Sequence, residues 1–208
     1  MKRWAWMILA VAPLAAQRHY DDRNWKLNDK ETVRRTFDLA GGSNPKKLLV
    51  DNVSGFVHVT GYGGSQVQVV AEKQVLADSN EAMAEGKRDV KLDMSTQGNF
   101  ARLYVDGPFR NNNGTNYRGD NYYGYRVIFD IDVQVPYDTE VDLKTINAGD
   151  IVLRKTTADF IIHGLNGGIE MEDVSGSGDV NTLNGKVKAT FTRNPSKPTS
   201  CYGGIWPP

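Results

Sequence analysis

Between Val141 and Phe191 the sequence is built from short units of alternating apolar and polar residues, each closed by a corner of small residues. The corners fall at Asn147, Thr156, Asn166, Ser175 and Asn184, spaced 9, 10, 9 and 9 residues apart, so that two units make a step of 18 or 19 residues. A unit this short cannot bury its apolar face alone. Regular recurrence therefore predicts neighbours stacked on one another around a shared core.

Asn-Gly corners between alternating segments also suit tight hairpins, and an antiparallel meander is the competing arrangement. Three features favour stacked coils: the near-constant spacing, Asn at every second corner, and apolar pairs at matching positions, Ile151 with Leu153, Ile169 with Met171, Val187 with Ala189. The expected fold is all-β, a parallel β-helix or β-solenoid with a short helix and hairpin excursion. In such a coil the Asn side chains would stack, each amide bonding the next, and Gly149, Gly167 and Gly185 would supply positive φ.

The rest of the chain divides around this array. Residues 1–16 (MKRWAWMILAVAPLAA) have a basic start, a short apolar run and small residues at the end, which predicts a cleaved export leader too short to span a bilayer. Its removal leaves 23 basic against 25 acidic residues, far from the basic surface that nucleic acid demands. Residues 17–30 read as a polar tether and 31–191 as the folded domain. Within it, the corner Val53-Ser54-Gly55 reappears as Val174-Ser175-Gly176, and 78–124 is an excursion. The excursion opens on Asp78-Ser79-Asn80, which cap a helix near 79–87 with an unwelcome interior Gly86. A hairpin about Gln97-Gly98-Asn99 follows, then the long Asn- and Tyr-rich loop 108–124. Tyr125–Pro136 is the cleanest strand pattern in the protein, and 192–208 reads as an irregular tail. Cys201 is the single cysteine, so no internal disulfide can form.

The leader, LLVDNVSGFVHVTGYGGSQVQVVAEK, the strand ending in VQVP, and the run TINAGDI, GLNGGIEM, DVSGSGDV, TLNGKV together resemble the bacterial putative-adhesin family, a domain of unknown function made of β-strand repeats. The resemblance covers about residues 37–191. It implies an exported, periplasmic or cell-surface domain with parallel β-helix character and no established catalytic residues. Family members usually continue past the equivalent of Phe191 into another Asn-Gly unit, where this chain has CYGGIWPP. The exposed strand edge that would result is expected to favour self-association.

No residues point to a cofactor or metal. His19, His58 and His163 lie far apart, and the carboxylates Asp130, Asp132, Glu140, Asp142, Glu170, Glu172 and Asp173 are the wet faces that alternation itself produces. The function expected is that of a non-catalytic module of the cell envelope, a scaffold or an adhesion or ligand-binding domain. A carbohydrate-active β-helix enzyme and an accessory or sensing partner of an envelope complex remain the alternatives. A polysaccharide-cleaving enzyme would need carboxylates converging from adjacent coils, whereas the outward set here is mixed: Lys144, Arg154, His163, Glu170, Asn181 and Lys188. The candidate binding residues are Arg110, Tyr117, Arg118, Tyr122, Tyr123 and Tyr125, whose flat rings and hydrogen-bonding tips suit a surface glycan or an envelope protein.

Overall fold

The structure is a computed structural model that describes residues 24–39, 44–111, 114–116, 120–147 and 149–204. The leader expected at 1–16 lies outside the described residues. The elements in chain order are β1 (Leu27–Asp38), β2 (Lys46–Asp51), β3 (Val57–Tyr62), β4 (Gln66–Ala77), α1 (Asn80–Asp89), β5 (Lys91–Gln97), β6 (Phe100–Asp106), β7 (Arg110–Asn111), β8 (Gly114–Thr115), α2 (Asp120–Tyr123) and β9 (Tyr125–Pro136). There follow β10 (Thr139–Thr145), β11 (Ile151–Arg154), β12 (Phe160–Asn166), β13 (Ile169–Val174), β14 (Gly178–Asn184), β15 (Val187–Phe191) and β16 (Ser200–Gly203).

These strands form a sandwich of two seven-stranded mixed sheets. The first has the order β1-β4-β9-β3-β11-β13-β15 and the second β16-β14-β12-β10-β2-β6-β5, while β7 and β8 make a separate small hairpin. The expectation of a parallel β-solenoid is overturned by this topology. β1 with β4, β4 with β9, and β5 with β6 pair antiparallel, and the two sheets face each other across one core. The nine-residue spacing of the corners encodes alternation between the two sheets: β10, β12, β14 and β16 lie in one, β11, β13 and β15 in the other. Within each sheet these strands pair in parallel with their neighbours. Alternation records that a strand has one buried face. It carries no information on whether the chain closes into a coil or lays down two facing sheets.

The register places like beside like. Val57, Ile151, Ile169 and Val187 align across the first sheet, as do Val59, Leu153, Met171 and Ala189. Across the second run Leu103, Val50, Leu143, Ile162 and Val180. These columns meet as the core, in which Leu48, Leu103, Leu143, Ile151, Leu153, Ile162, Met171 and Phe160 are fully buried. Each such side chain contributes about 1.5–3 kcal/mol relative to exposure. On the outward side Asn184 Nδ2 donates to Asn166 Oδ1 at 2.8 Å, one rung of an Asn ladder that does not reach Asn147, whose amide nitrogen finds no acceptor.

Sheet one is longer than sheet two along β4 and β9, and α1 covers the overhang. Ser79 caps the helix by accepting from Ala82 N at 3.2 Å. The interior Gly86 is there because the helix lies against the sheet: a Cβ would stand 3.0 Å from Val75 and 3.1 Å from Tyr125. Lys73, on the inner face of β4, sends its ammonium to the carbonyl of Lys87 at 3.0 Å, satisfying a last-turn oxygen at the negative end of the helix dipole. Burial holds its pKa below the ordinary value, partly offset by Glu31.

The corner glycines also differ from expectation. Gly149, Gly167 and Gly185 do not have positive φ. They are required because the backbones approach too closely for a side chain: a Cβ would stand 1.9 Å from Gly55 O at Gly149, 2.2 Å from Gly149 O at Gly167, and 2.0 Å from Gly167 O at Gly185. The left-handed turns fall on Lys155 (φ 55) and Asp173 (φ 56), equivalent positions 18 residues apart. Within the tail expected to be irregular, Ser200–Gly203 pairs with β14.

Gly167→Ala must therefore separate two backbones, and Gly98→Ala provides the contrast: Gly98 has φ +59 but nothing within 4 Å. The expected losses in urea unfolding are about 3 kcal/mol or more for Gly167→Ala, from overpacking, and about 1–2 kcal/mol for Gly98→Ala, from the left-handed backbone alone. Equal losses would contradict the close-approach account.

Candidate functional site

The six candidate binding residues do not form one site. Tyr117 and Arg118 lie outside the described residues. Arg110 opens the β7–β8 hairpin, apart from both large sheets, and all three nitrogens of its guanidinium are engaged. Nε donates to Val105 O at 2.9 Å, Nη1 to Thr115 Oγ1 at 2.6 Å, and Nη2 to Asp51 Oδ1 at 2.8 Å and Asp51 O at 3.3 Å. Its plane covers the Tyr104 ring at 4.4 Å, with Arg102 also on that ring at 4.1 Å. With a side chain 10% exposed, Arg110 fastens the β7–β8 hairpin to β2 and β6.

The tyrosines gather at the other sheet, beside α1. Tyr125 opens β9, is 5% exposed and packs on Gly86. Tyr123 rests on it, ring centroids 5.6 Å apart, and Tyr122 meets Tyr123 edge-on at 5.0 Å. Exposure rises outward along this row to 62% at Tyr122. The innermost ring is anchored in the core and the outermost is presented to solvent on the single turn of α2. Burial, with the nearby carboxylates Asp89 and Glu85, pushes the Tyr125 phenol up to about 12 from 10.0. Composition marked this stretch as a binding candidate. The anchoring by α1 had a single sequence signal, a glycine inside a helix where it would otherwise be a defect.

Elsewhere the outer faces satisfy themselves across neighbouring strands. On sheet one, Arg154 Nε donates to Glu172 at 2.5 Å and Lys188 to Glu170 at 2.8 Å, both across an 18-residue step. These contacts hold the Glu172 carboxyl below its usual value and the Lys188 ammonium above it. His58 stacks on Phe56 at 4.1 Å and meets Asp132 at 3.2 Å. Asp130 accepts from Phe56 N, so Asp130 and Asp132 lie on the first sheet while Glu140 and Asp142 lie on the second.

An open groove of about 260 Å³ runs over the starts of β10, β12 and β14, lined by Lys47, Glu140, Asp159, Ile161, Asp179 and Lys197 among others. Two of its three acids, Asp159 and Asp179, are already engaged. Asp159 accepts from Lys197 at 2.6 Å and Ser177 N at 3.1 Å, which lower its pKa, the reverse of what a general acid needs. Asp179 accepts from Ser200 at 2.5 Å. Among the described residues no group of three or more His, Cys, Asp or Glu is placed to hold a metal ion, and no helix is long and apolar enough to cross a membrane.

No family model matches the chain, and neither does any curated protein. A crystal structure described as a putative cell adhesion protein from Clostridium sporogenes aligns over 84% of this chain and 96% of its own, at 9% identity and TM-score 0.32. Another, described as a putative lipid binding protein from Parabacteroides distasonis, aligns over 86% of this chain and 95% of its own, at 10% identity and TM-score 0.30. Likeness of this order carries no argument about the function of this chain.

The Tyr125 shift has a consequence at high pH. A phenol whose folded pKa is raised contributes its full stability below pH 10.0 and loses it as pH climbs toward 12, because the unfolded chain releases the proton first. Tyr125→Phe is expected to flatten the fall in stability over that interval. An ultraviolet titration of the folded protein should lose its most alkaline phenol step in the same variant. An unchanged titration would show that the buried phenol is another residue.

Proposed function

We propose that this protein is an exported, non-catalytic module of the bacterial cell envelope that adheres to a surface glycan through the aromatic row ending at Tyr122. The observation that carries this reading is the graded anchoring of that row: a buried Tyr125 supports Tyr123, which in turn supports an exposed Tyr122. A ring held this way offers an apolar face and a hydroxyl tip with little rotamer entropy left to lose on binding, the combination that suits a sugar. The sandwich supports it from beneath, since β9 is paired along both edges, with β4 and β3. Export is read from the basic-apolar-small pattern of residues 1–16, and the envelope address from the sequence resemblance.

The test is a glycan array probed with the labelled protein. Tyr122→Ala is expected to weaken the strongest signals about tenfold, the 1.4 kcal/mol of one aromatic contact, while thermal unfolding stays as in the parent because the side chain is largely in solvent. Tyr122→Phe should keep most of the binding. Binding that survives Tyr122→Ala unchanged removes the row as the contact surface.

A further inference from the structure

Among the described residues, one end of the sandwich has no strand beyond β15, the last of the first sheet, and β16, the last of the second. The core columns run to this end and lose their cover there. Met171 and Val180 are fully buried, the next residues in register, Ala189 and Cys201, are half-buried and exposed, and Val187 and Phe191 are also half-buried. Whatever covers this end must supply two strands at the separation of the two sheets, with alternate residues apolar.

The hydrogen-bond phase of both strands is fixed. Ile169 N donates to Lys186 O at 2.8 Å, so in the parallel ladder residues 186, 188 and 190 turn their backbone groups to β13, and Val187, Ala189 and Phe191 turn theirs to the open edge. Gly204 N donates to Thr182 O at 3.1 Å, which likewise leaves Cys201 and Gly203 turned outward on β16. A two-fold axis through Ala189 would set Val187 opposite Phe191 of a second copy, with both backbones in bonding phase. It would also set Lys188 opposite Thr190, so that no lysine faces its twin. The same operation through Cys201 sets Ser200 opposite Tyr202.

The midpoints of the two strands face each other across the sandwich. Phe191 lies 6.4 Å from Phe160 across the sandwich, over the column of Gly178, whose amide bonds Thr199. At the other end of β15, Val187 N would lie 3.2 Å from a Cβ on Gly203. Midway between, Ala189 stands over the step from Val180 to Cys201. From this we propose that two copies of the chain join end to end through β15 and β16, about a two-fold axis normal to both sheets, extending each seven-stranded sheet into one of fourteen. The second copy is the occupant because its own end has the required two strands, spacing and apolar alternation. The interface stands apart from the Tyr122 surface, so either reading can fail without the other.

Light scattering on the eluting full chain is expected to give twice the chain mass. Diamide, which takes up the two protons and two electrons released as two thiols become a disulfide, is expected to link Cys201 to its twin, and Cys201→Ser to abolish the link while keeping the doubled mass. Ala189→Lys places two ammonium groups face to face inside the joint. It is expected to return the mass to one chain and to stop the linking, with circular dichroism unchanged. A single-chain mass for the parent overturns the proposal. So does a dimer whose Cys201 thiols fail to link, or one whose mass a folded Ala189→Lys leaves alone. Should Ala189→Lys fail to fold, the parent's mass and its Cys201 linking still decide.

Discussion

At the corners of the repeat, one backbone lies directly on the backbone one step away, with no room for a β-carbon between them. Gly149 on Gly55, Gly167 on Gly149 and Gly185 on Gly167 form a single file of such contacts, passing from the early strand pair into the later array. Contact at this range fixes the step at 18 residues, and the step fixes the register of every strand beyond it. The columns of Ile, Val, Leu and Met in the core share that register. The second file, where Cβ atoms on Gly176 and Gly178 would strike Ala158 O and Phe160 O, does the same on the opposite edge.

The same register decides what the outer wall can do. Placing each outward residue beside its equivalent one step away lets Arg154 reach Glu172, and Glu170 reach Lys188, within hydrogen-bonding distance. Exposed pairs of this kind add little stability each, but they leave few charges pointing freely at solvent. The repeat does not govern the segment between β6 and β9 or the ends of the sheets, where the proposed contact surfaces lie.

Much of the local structure was legible in the sequence because it is decided locally. The alternation of Tyr125–Pro136 gave β9, Ser79 gave the helix cap, and Gln97-Gly98-Asn99 gave the β5–β6 hairpin. The sandwich was not legible, because the facts that make it one are pairings between distant segments, β4 running back along both β1 and β9. No period within a single strand records them. The corner glycines stand out in the sequence, but a sequence does not distinguish a glycine needed for its φ from one needed for its missing Cβ. At the candidate site the division is the same. Arg110 looked like a ligand-binding arginine in a polar loop, but its partners Asp51 and Tyr104 come from strands β2 and β6.

The two ends of the sandwich are protected differently, and the difference is chemical. At one end, β1 carries Asp29, Lys30, Glu31, Arg34, Arg35 and Asp38, and β5 carries Lys91 and Asp93. Charges of both signs along an edge strand oppose pairing with another chain, because a new strand would have to desolvate them or match them. At the other end β15 carries one charge, Lys188, already held by Glu170, and β16 carries none. An edge guarded at one end and unguarded at the other is not what selection against association alone would leave. In the proposed dimer it would limit growth to a single joint: two molecules would meet through the ends that carry only Lys188, and the charged edges would then face outward on both sides, so that the assembly would close at two.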